Sequence, residues 1–211
     1  KLLFDISREL ASSLDLPHLL QRILVLSIKH LKASSGSIIV LDEKGELVDS
    51  ALIIKGEVHE QTTNRLRVSL KDGLAGWVAR SGQTLIVADA NADKRHMRDV
   101  DQETGVPLRS ILSVPLKVKQ AVIGVLQVLD TAVGRFGRSE LALVEPLASA
   151  AAVAIDNARL YQETDRLRAF NENIVQSMEE GILLADAEGR ISFVNRKTAE
   201  LLGYSPEELQ G

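Results

Sequence analysis

Asp72-Gly73-Leu74-Ala75-Gly76-Trp77-Val78-Ala79-Arg80-Ser81-Gly82 is the stretch from which the rest of the chain can be read. An acid stands where a helix N-cap is wanted and a glycine where a helix C-terminus is wanted, with Leu74, Trp77 and Val78 at helical spacing between them. The pattern predicts a two-turn helix with one apolar face. Downstream, Thr84 to Val87 reads as a buried strand, and Asp89-Ala90-Asn91-Ala92-Asp93-Lys94-Arg95-His96 as a polar loop entering a charged helix that carries Asp99, Asp101 and Glu103 toward solvent. Ser110 to Val118 and Ala121 to Asp130 read as two further strands. In this order the segments are arranged as the wall and mouth of a pocket would be.

Upstream, Leu2, Leu3, Ile6, Leu10 and Leu14 recur at helical spacing, and a second helix follows Asp15 and Pro17 with Leu19, Leu20, Ile23, Leu24, Leu26, Ile28 and Leu31. Gly36 to Leu41 and Glu46 to Ile54 are apolar or alternating runs joined by Asp42-Glu43-Lys44-Gly45, a turn with glycine available for the left-handed position. They are expected to pair as a hairpin. Lys55 to Asn64 is polar, and Arg65 to Leu70 alternates as a third strand. An antiparallel sheet with helices on its faces accommodates these elements.

From about Glu140 the pattern changes to one long helix. Leu141, Val144, Leu147, Ala151, Ile155 and Ala158 pack back on the domain, and Glu140 sits where a first-turn acid is favourable. Pro146 is expected to kink the helix or end a first turn. Val153, Leu160, Leu167 and Ile174 fall seven residues apart, with Phe170 and Met178 three or four residues off that seam. The spacing suits a helix pairing with its own copy. Asn157, Glu163 and Thr164 make the seam imperfect, and a strip buried against its own domain accounts for the upstream half equally well.

The segment from Gly73 to Leu126 resembles the GAF domain family. The matching residues are Gly73, Gly76-Trp77-Val78, Val87, Asp89, Asp93, Arg95, Arg109-Ser110, Leu112, Val114-Pro115-Leu116 and Ile123-Gly124-Val125-Leu126. Gln120-Ala121 departs from the family pattern, because that turn usually carries a glycine. Further on, Gly181-Ile182-Leu183-Leu184-Ala185-Asp186-Ala187-Glu188-Gly189-Arg190-Ile191-Ser192-Phe193-Val194-Asn195 reads as a hairpin whose Asp-x-x-Gly turn repeats Asp42 to Gly45. A helix over Arg196 to Leu202 follows, and then Gly203-Tyr204-Ser205-Pro206-Glu207-Glu208-Leu209, with Ser205 and Glu208 as a capping box around Pro206. This segment looks like the opening of a PAS domain.

The resemblances imply an α+β fold: a GAF-type antiparallel sheet flanked by helices, a long C-terminal linker helix and a partial PAS fold. The implied division is a GAF domain over 1–160, a helical linker with coiled-coil character over 161–179, and the N-terminal part of a PAS domain over 180–211. Two strands and short helices cannot enclose a core, so the last segment is expected to be weakly ordered or to lean on a neighbour.

Composition narrows the function. The chain has 211 residues, 45% of them hydrophobic and 26% charged, the profile of a globular protein rather than a disordered one. The alanine-rich run Leu147 to Ile155 is far shorter than the ~18 apolar residues of a membrane span. A net charge of −4 gives no electrostatic reason to bind nucleic acid. Zero cysteines exclude disulfides, thiolate metal sites, cysteine nucleophiles and thioether attachment of a pigment to this segment. The chain opens at a lysine without a signal peptide and ends inside a pattern that should continue, so it is expected to be part of a longer protein in the cytoplasm.

A ligand would lie between the sheet and the cap formed by residues 72 to 105. Its apolar walls are expected from Ile38, Val40, Leu74, Trp77, Val78, Leu112 and Val114, and its polar contacts from Asp89, Asn91, Arg95, His96, Arg109 and Ser110. Arg95 and Arg109 are the best anchors for an anion, since a guanidinium is always charged and offers forked donors. Each of these residues also has a structural reading: Trp77 as core, Asp89 and Asp93 as turn and N-cap residues, Arg95 as the partner of one of them. The ligand is unknown. Cyclic nucleotide binding is unsupported, because only Phe136 and Glu140 echo the family's motif for it, and His96 is the one histidine near the mouth that a haem could use. Neither metal ligands nor catalytic residues are assigned; the family's methionine sulfoxide reductases use cysteine, which is missing, and no hydrolase or phosphate-loop motif is present. The resemblance implies a sensory input module of a signalling protein, most simply a sensor histidine kinase of a two-component system, acting as a homodimer. A ligand-free dimerising spacer, or the input module of a diguanylate cyclase or other output, fits the same sequence.

Overall fold

The computed structural model describes residues 15–59, 73–96, 101–102 and 105–209. The expected helix over Leu2 to Leu14, the expected strand over Arg65 to Leu70 and the expected cap at Asp72 lie outside these residues. The chain divides into two units, Lys1–Arg159 and Leu160–Gly211.

In the first unit, α1 (Leu16–Leu31) begins where the Asp15 carboxylate accepts the His18 backbone N–H at 3.3 Å, and Pro17 sits in the first turn, where its missing N–H costs nothing. Its buried face is Leu16, Leu19, Leu20, Ile23, Leu24 and Leu31. The sheet comprises β1 (Ser35–Leu41), β2 (Leu47–Ile54), β3 (Glu57–Val58), β4 (Leu85–Val87), β5 (Ser110–Val118) and β6 (Ala121–Asp130), in the order β3-β2-β1-β6-β5-β4. Every neighbouring pair is antiparallel. The β1–β2 turn forms as its sequence implies: the Asp42 carboxylate accepts the N–H groups of Lys44 and Glu46 at 2.9 and 2.8 Å, and Gly45 takes φ 78°. At the β5–β6 turn, Lys119 adopts the left-handed conformation usually left to glycine, with φ 56°.

The expected two-turn helix is α2 (Leu74–Ser81), which is capped by Gly73 at its start and by Gly82, φ 63°, at its end. Gly73, in extended conformation at the N-cap, offers no side chain to bond the first-turn N–H groups. Helix α3 (Arg138–Ser177) is 40 residues long. The Glu140 carboxylate accepts the Gly137 N–H at 2.8 Å at its start, and the helix runs on through Pro146 rather than ending there. By length and composition α3 contains a window apolar enough to cross a membrane. Several of its apolar residues, Val144, Leu147, Ala151 and Ile155, pack into the core of the first unit.

Strand alternation sorts the core into two layers. On one face, Ile38, Val40, Ile53, Leu112, Val114, Leu116, Leu126 and Val128 pack with α1 and α3. On the other, the cap face, Ile39, Leu41 and Val125 pack against Ala75 and Val78 of α2, while Leu52, Ile54, Ile111 and Leu129 pack with Leu74, Val87, Ala90, Val106 and Leu108. Gly124 stands opposite Val40 between the layers, where a Cβ would collide with the Ile39 carbonyl.

The second unit contains β7 (Leu183–Ala185), β8 (Ile191–Val194), α4 (Arg196–Leu202) and α5 (Pro206–Leu209). The Asp186 turn repeats the Asp42 turn bond for bond, with Glu188 and Arg190 N–H groups donating to its carboxylate at 3.0 and 2.9 Å and Gly189 at φ 84°. Ser205 and Glu208 cap α5 reciprocally. Leu183, Leu184, Leu201, Leu202 and Tyr204 are exposed, so cohesion depends on a buried polar centre at Asn195. Its amide donates to the Val175 and Glu180 carbonyls at 3.1 and 2.8 Å, and its oxygen accepts from Ile182 N–H, Thr198 N–H and the Thr198 hydroxyl.

Gly124→Ala is expected to destabilise the first unit by about 1–3 kcal/mol through overpacking, read as a lower denaturation midpoint at unchanged m-value. Asn195→Ala leaves the Ile182 and Thr198 amides unpartnered, and hydrogen exchange there should accelerate about 10- to 100-fold.

Candidate functional site

Three polar side chains lie side by side across the cap face. The register sets Ser37 opposite Gln127 and Gln127 opposite Ser113. The Ser37 hydroxyl donates to Gln127 Oε1 at 3.0 Å, and Gln127 Nε2 donates to Ser113 Oγ at 2.7 Å. All three are buried. The row runs between the two separate apolar clusters of this face. Ser50, opposite Ile39 in register, adds a buried hydroxyl with no hydrogen-bond partner among the described residues.

Two forked ion pairs stand in the loops near the ends of β4 and β5. Arg109 donates through Nε and Nη2 to Asp89 at 2.9 and 2.8 Å, and Arg95 donates likewise to Asp93 at 3.0 and 2.7 Å. The guanidinium hydrogen bonds hold both carboxyls below the usual carboxylate range and both arginines above theirs. Asp89 also caps the turn Ala90–Ala92 by accepting the Asn91 N–H at 3.1 Å. Arg95 lies 5.0 Å above the Trp77 ring, a cation–π distance that ties the loop to α2. His96 Nε2 is 3.3 Å from Asp101 Oδ2, both side chains being largely sheltered, and Asp101 Oδ1 is buried with no partner among the described residues. Asp101 is therefore not on a solvent-facing helix surface; Asp99 and Glu103 lie outside the described residues. An open groove of about 500 Å³ follows Leu85 to Ala88, Asp89, Asp93 and Arg95.

Of the residues the sequence singled out, Trp77, Asp89, Arg95, His96 and Arg109 belong to this rim, and Asn91 is exposed on it. Ser110 is interior: its hydroxyl donates to the Val87 carbonyl and accepts the N–H groups of Arg135 and Phe136 at 3.2 and 3.4 Å. Leu112, with Ile38, Val40 and Val114, faces the helices, on the opposite side of the sheet from Leu74 and Val78. That wall cannot be shared with the cap, and the cap face instead presents Ile39, Ile111 and Val125. Arg95 and Arg109 are each engaged by an aspartate rather than left as open anion anchors. Phe136 is buried and Glu140 caps α3, so both residues that echo the cyclic nucleotide motif have structural roles. Sequence reasoning missed Ser37, Gln127 and Ser113; their signal was a polar residue inside an otherwise apolar strand.

A family profile described as GAF domain matches residues 13–156. The chain belongs to the GAF domain family. A second profile, described as PAS fold, matches residues 169–211, so the GAF domain is followed by PAS sequence. Among curated proteins, the probable 3′,5′-cyclic phosphodiesterase pde-5 of Caenorhabditis elegans is 26% identical over 172 residues, 78% of this chain and 24% of that protein. The chain thus spans about a quarter of the length of that relative. The GAF domain of a phosphoenolpyruvate-protein phosphotransferase from Coxiella burnetii superposes with TM-score 0.65 at 23% identity, over 76% of this chain and 94% of that one. Free methionine-R-sulfoxide reductase from Neisseria meningitidis superposes with TM-score 0.56 at 17% identity, over 75% and 89%. At these identities the structural likeness speaks to fold. GAF and PAS are regulatory domain families, and the chain is a sensory input module.

The Asp89–Arg109 fork has a defined pH signature. Because the folded-state pKa of Asp89 is depressed, its contribution is fully present above the unfolded carboxylate value of about 3.9 and is lost as pH falls through the lower folded value. Protection of the Asn91 amide, measured against its intrinsic exchange rate at each pH, should therefore fall at acid pH in the native chain, and in Asp89→Asn it should be low already at neutral pH with the acid step removed.

Proposed function

We propose that this GAF–PAS chain is the input module of a cytoplasmic sensor histidine kinase, which takes a small ligand on the cap face and passes its occupancy to the output through α3 paired with its own copy. The observation that carries the ligand reading is the buried row Ser37–Gln127–Ser113. Aliphatic side chains there would join the two flanking clusters into one core without desolvating an amide and two hydroxyls. A few placed polar groups in an apolar surround are what orient a small molecule. With both rim guanidiniums already matched by carboxylates, the row suits a neutral ligand that both donates and accepts hydrogen bonds.

The kinase output rests on the order GAF then PAS, an arrangement that diguanylate cyclases and other outputs share. The relay follows from linkage: a ligand shifts an equilibrium only by contacting two states differently, and α3, rooted in the helix-side core, is the element that leaves the domain. A second reading, a spacer that binds nothing, draws support from the internally satisfied forks at Asp89 and Asp93.

Native mass spectrometry of the chain as isolated from its expression host tests both. The sensor reading expects added mass on each protomer, lost in Gln127→Leu while the fold is retained. Protomers of bare mass whose stability is unchanged or raised by Gln127→Leu would favour the spacer.

A further inference from the structure

We propose that Ser110 is the residue through which the cap loop acts on the start of α3: together with Arg109 it carries a displacement across the sheet, from the cap face to the helix face. The proposal gives the relay reading a route and rests on that reading for its use, though not for its geometry. The apolar clusters of the two faces are separate, so side-chain packing alone does not join the Asp89 loop to the core in which α3 is rooted. Arg109 and Ser110 are consecutive, and strand alternation turns them to opposite faces. On the cap side the Arg109 guanidinium forks onto Asp89 at 2.9 and 2.8 Å, and its carbonyl accepts the Ala90 N–H at 2.6 Å. Ser110, two residues before Leu112 and on the same face as it, is fully buried on the helix side.

Three segments meet on the Ser110 oxygen: the end of β4, the start of β5 and the stretch that leads into α3. The hydroxyl donates to the Val87 carbonyl at 3.3 Å and accepts the N–H groups of Arg135 and Phe136 at 3.2 and 3.4 Å, which uses its one donor and both lone pairs. All three distances lie at or just past the long end of the usual range, so the hydroxyl is shared among its partners rather than committed to one. Drawing Val87 aside therefore changes its hold on two amides that immediately precede the helix. Next along the chain, Gly137 N–H donates to the Glu140 carboxylate at 2.8 Å and Leu141 N–H to the Gly137 carbonyl at 3.1 Å, while Arg135 Nη1 stands 3.9 Å from the same carboxylate. A second link, Gly134 N–H to the Ala88 carbonyl at 2.8 Å, also ties this stretch to the end of β4. Gly134 itself has φ 68°, and a glycine is the most pliant place to absorb a displacement. Arg135 and Phe136 lie beyond it toward the helix, so the Ser110 contacts are the ones that α3 feels.

Double-mutant cycles read by native-state hydrogen exchange test this in the full chain. Asp89→Asn, which opens the fork on the cap side, is expected to lower protection of the Leu141 amide about three- to tenfold while the Ile38 and Ile39 amides of the central strand β1 keep theirs. Coupling is reciprocal, so Glu140→Ala on the helix side should lower protection of the Asn91 amide by a similar factor. In Ser110→Ala both responses should shrink below about twofold, and in Ser110→Thr, which keeps the hydroxyl, both should return. Ser110→Ala also removes the acceptor of the Arg135 and Phe136 amides, so the readout is the response to the second substitution and not the protection of those amides. Responses of equal size with and without the hydroxyl, or a loss of protection that extends uniformly to β1, overturn the proposal. The native background decides independently of the Ser110 variants: an unchanged Leu141 amide in Asp89→Asn, or an unchanged Asn91 amide in Glu140→Ala, overturns it alone. Bare mass in native spectra with this coupling intact would fail the sensing reading and leave this one standing, and added mass with no coupling would do the reverse.

Discussion

The central strands of the larger sheet are buried on both faces, and the placement of the covering elements follows from that constraint. All seven residues of β1 are buried, as are most of β5 and β6. A strand dry on both sides has no solvent to satisfy a polar side chain, so each such group must find its partner in register. Ser37, Gln127 and Ser113 meet this requirement because the ladder sets them opposite one another. A one-residue slip of β6 would move the Gln127 amide to the helix face among Ile38 and Leu112 and strand it there. Gly124 contributes to the same end, since the Ile39 carbonyl occupies the space a side chain would need. Sheet register and polar row thus fix each other.

The loop that bounds the cap is held by the sheet's far end. Ala90 N–H donates to the Arg109 carbonyl at 2.6 Å, Gly134 N–H donates to the Ala88 carbonyl at 2.8 Å, and the Ser110 hydroxyl gathers Val87, Arg135 and Phe136. Arg135 then places its guanidinium on the Leu31 and Lys32 carbonyls at 2.6 and 3.3 Å, where the end of α1 presents unsatisfied oxygens and the negative end of its dipole. Two residues on, Gly137 donates to Glu140 and α3 begins. The cap loop, the end of α1 and the start of α3 are therefore joined through about six consecutive residues of backbone. A displacement of the Asp89 loop has a short bonded route to α3 that does not cross the apolar core.

Where the sequence was readable, a local chemical rule governed the outcome. The Asp42 and Asp186 turns, the Asp15 cap, the Ser205–Glu208 box and the helical spacing of Leu74 and Val78 all depend on neighbours within a few residues. The face of each central strand was not readable, because an apolar run buried on both sides carries no alternation to reveal it. For that reason Ile38, Val40, Leu112 and Val114 read in sequence as residues of the cap face, while the informative residues are the polar Ser37, Ser113 and Gln127. The Asp89–Arg109 pair spans 20 residues and could not be distinguished from a ligand anchor until β4 and β5 were set side by side. Lys119 shows the converse limit: the hairpin register imposed a left-handed turn on a residue that does not favour it.

Helix α3 inverts the usual distribution of side-chain size. Its buried face is largely alanine, with Ala148, Ala151, Ala152, Ala154 and Ala158 letting the backbone lie close to the core, whereas its outward face carries Val153, Leu160, Tyr161, Leu167, Phe170 and Ile174. A helix with only its own domain to pack against has no use for branched and aromatic residues on the side that faces water, and each costs about 25 cal/mol per Å² of apolar surface left exposed. The seven-residue interval among four of them drifts by about 20° per heptad around a straight helix, and a left-handed supercoil about a second helix is what brings such a stripe back into line. Scattered exposed leucines would require no such account. Regular spacing over three heptads from Val153 to Ile174 does, and it is what supports the proposed pairing of α3 with its own copy.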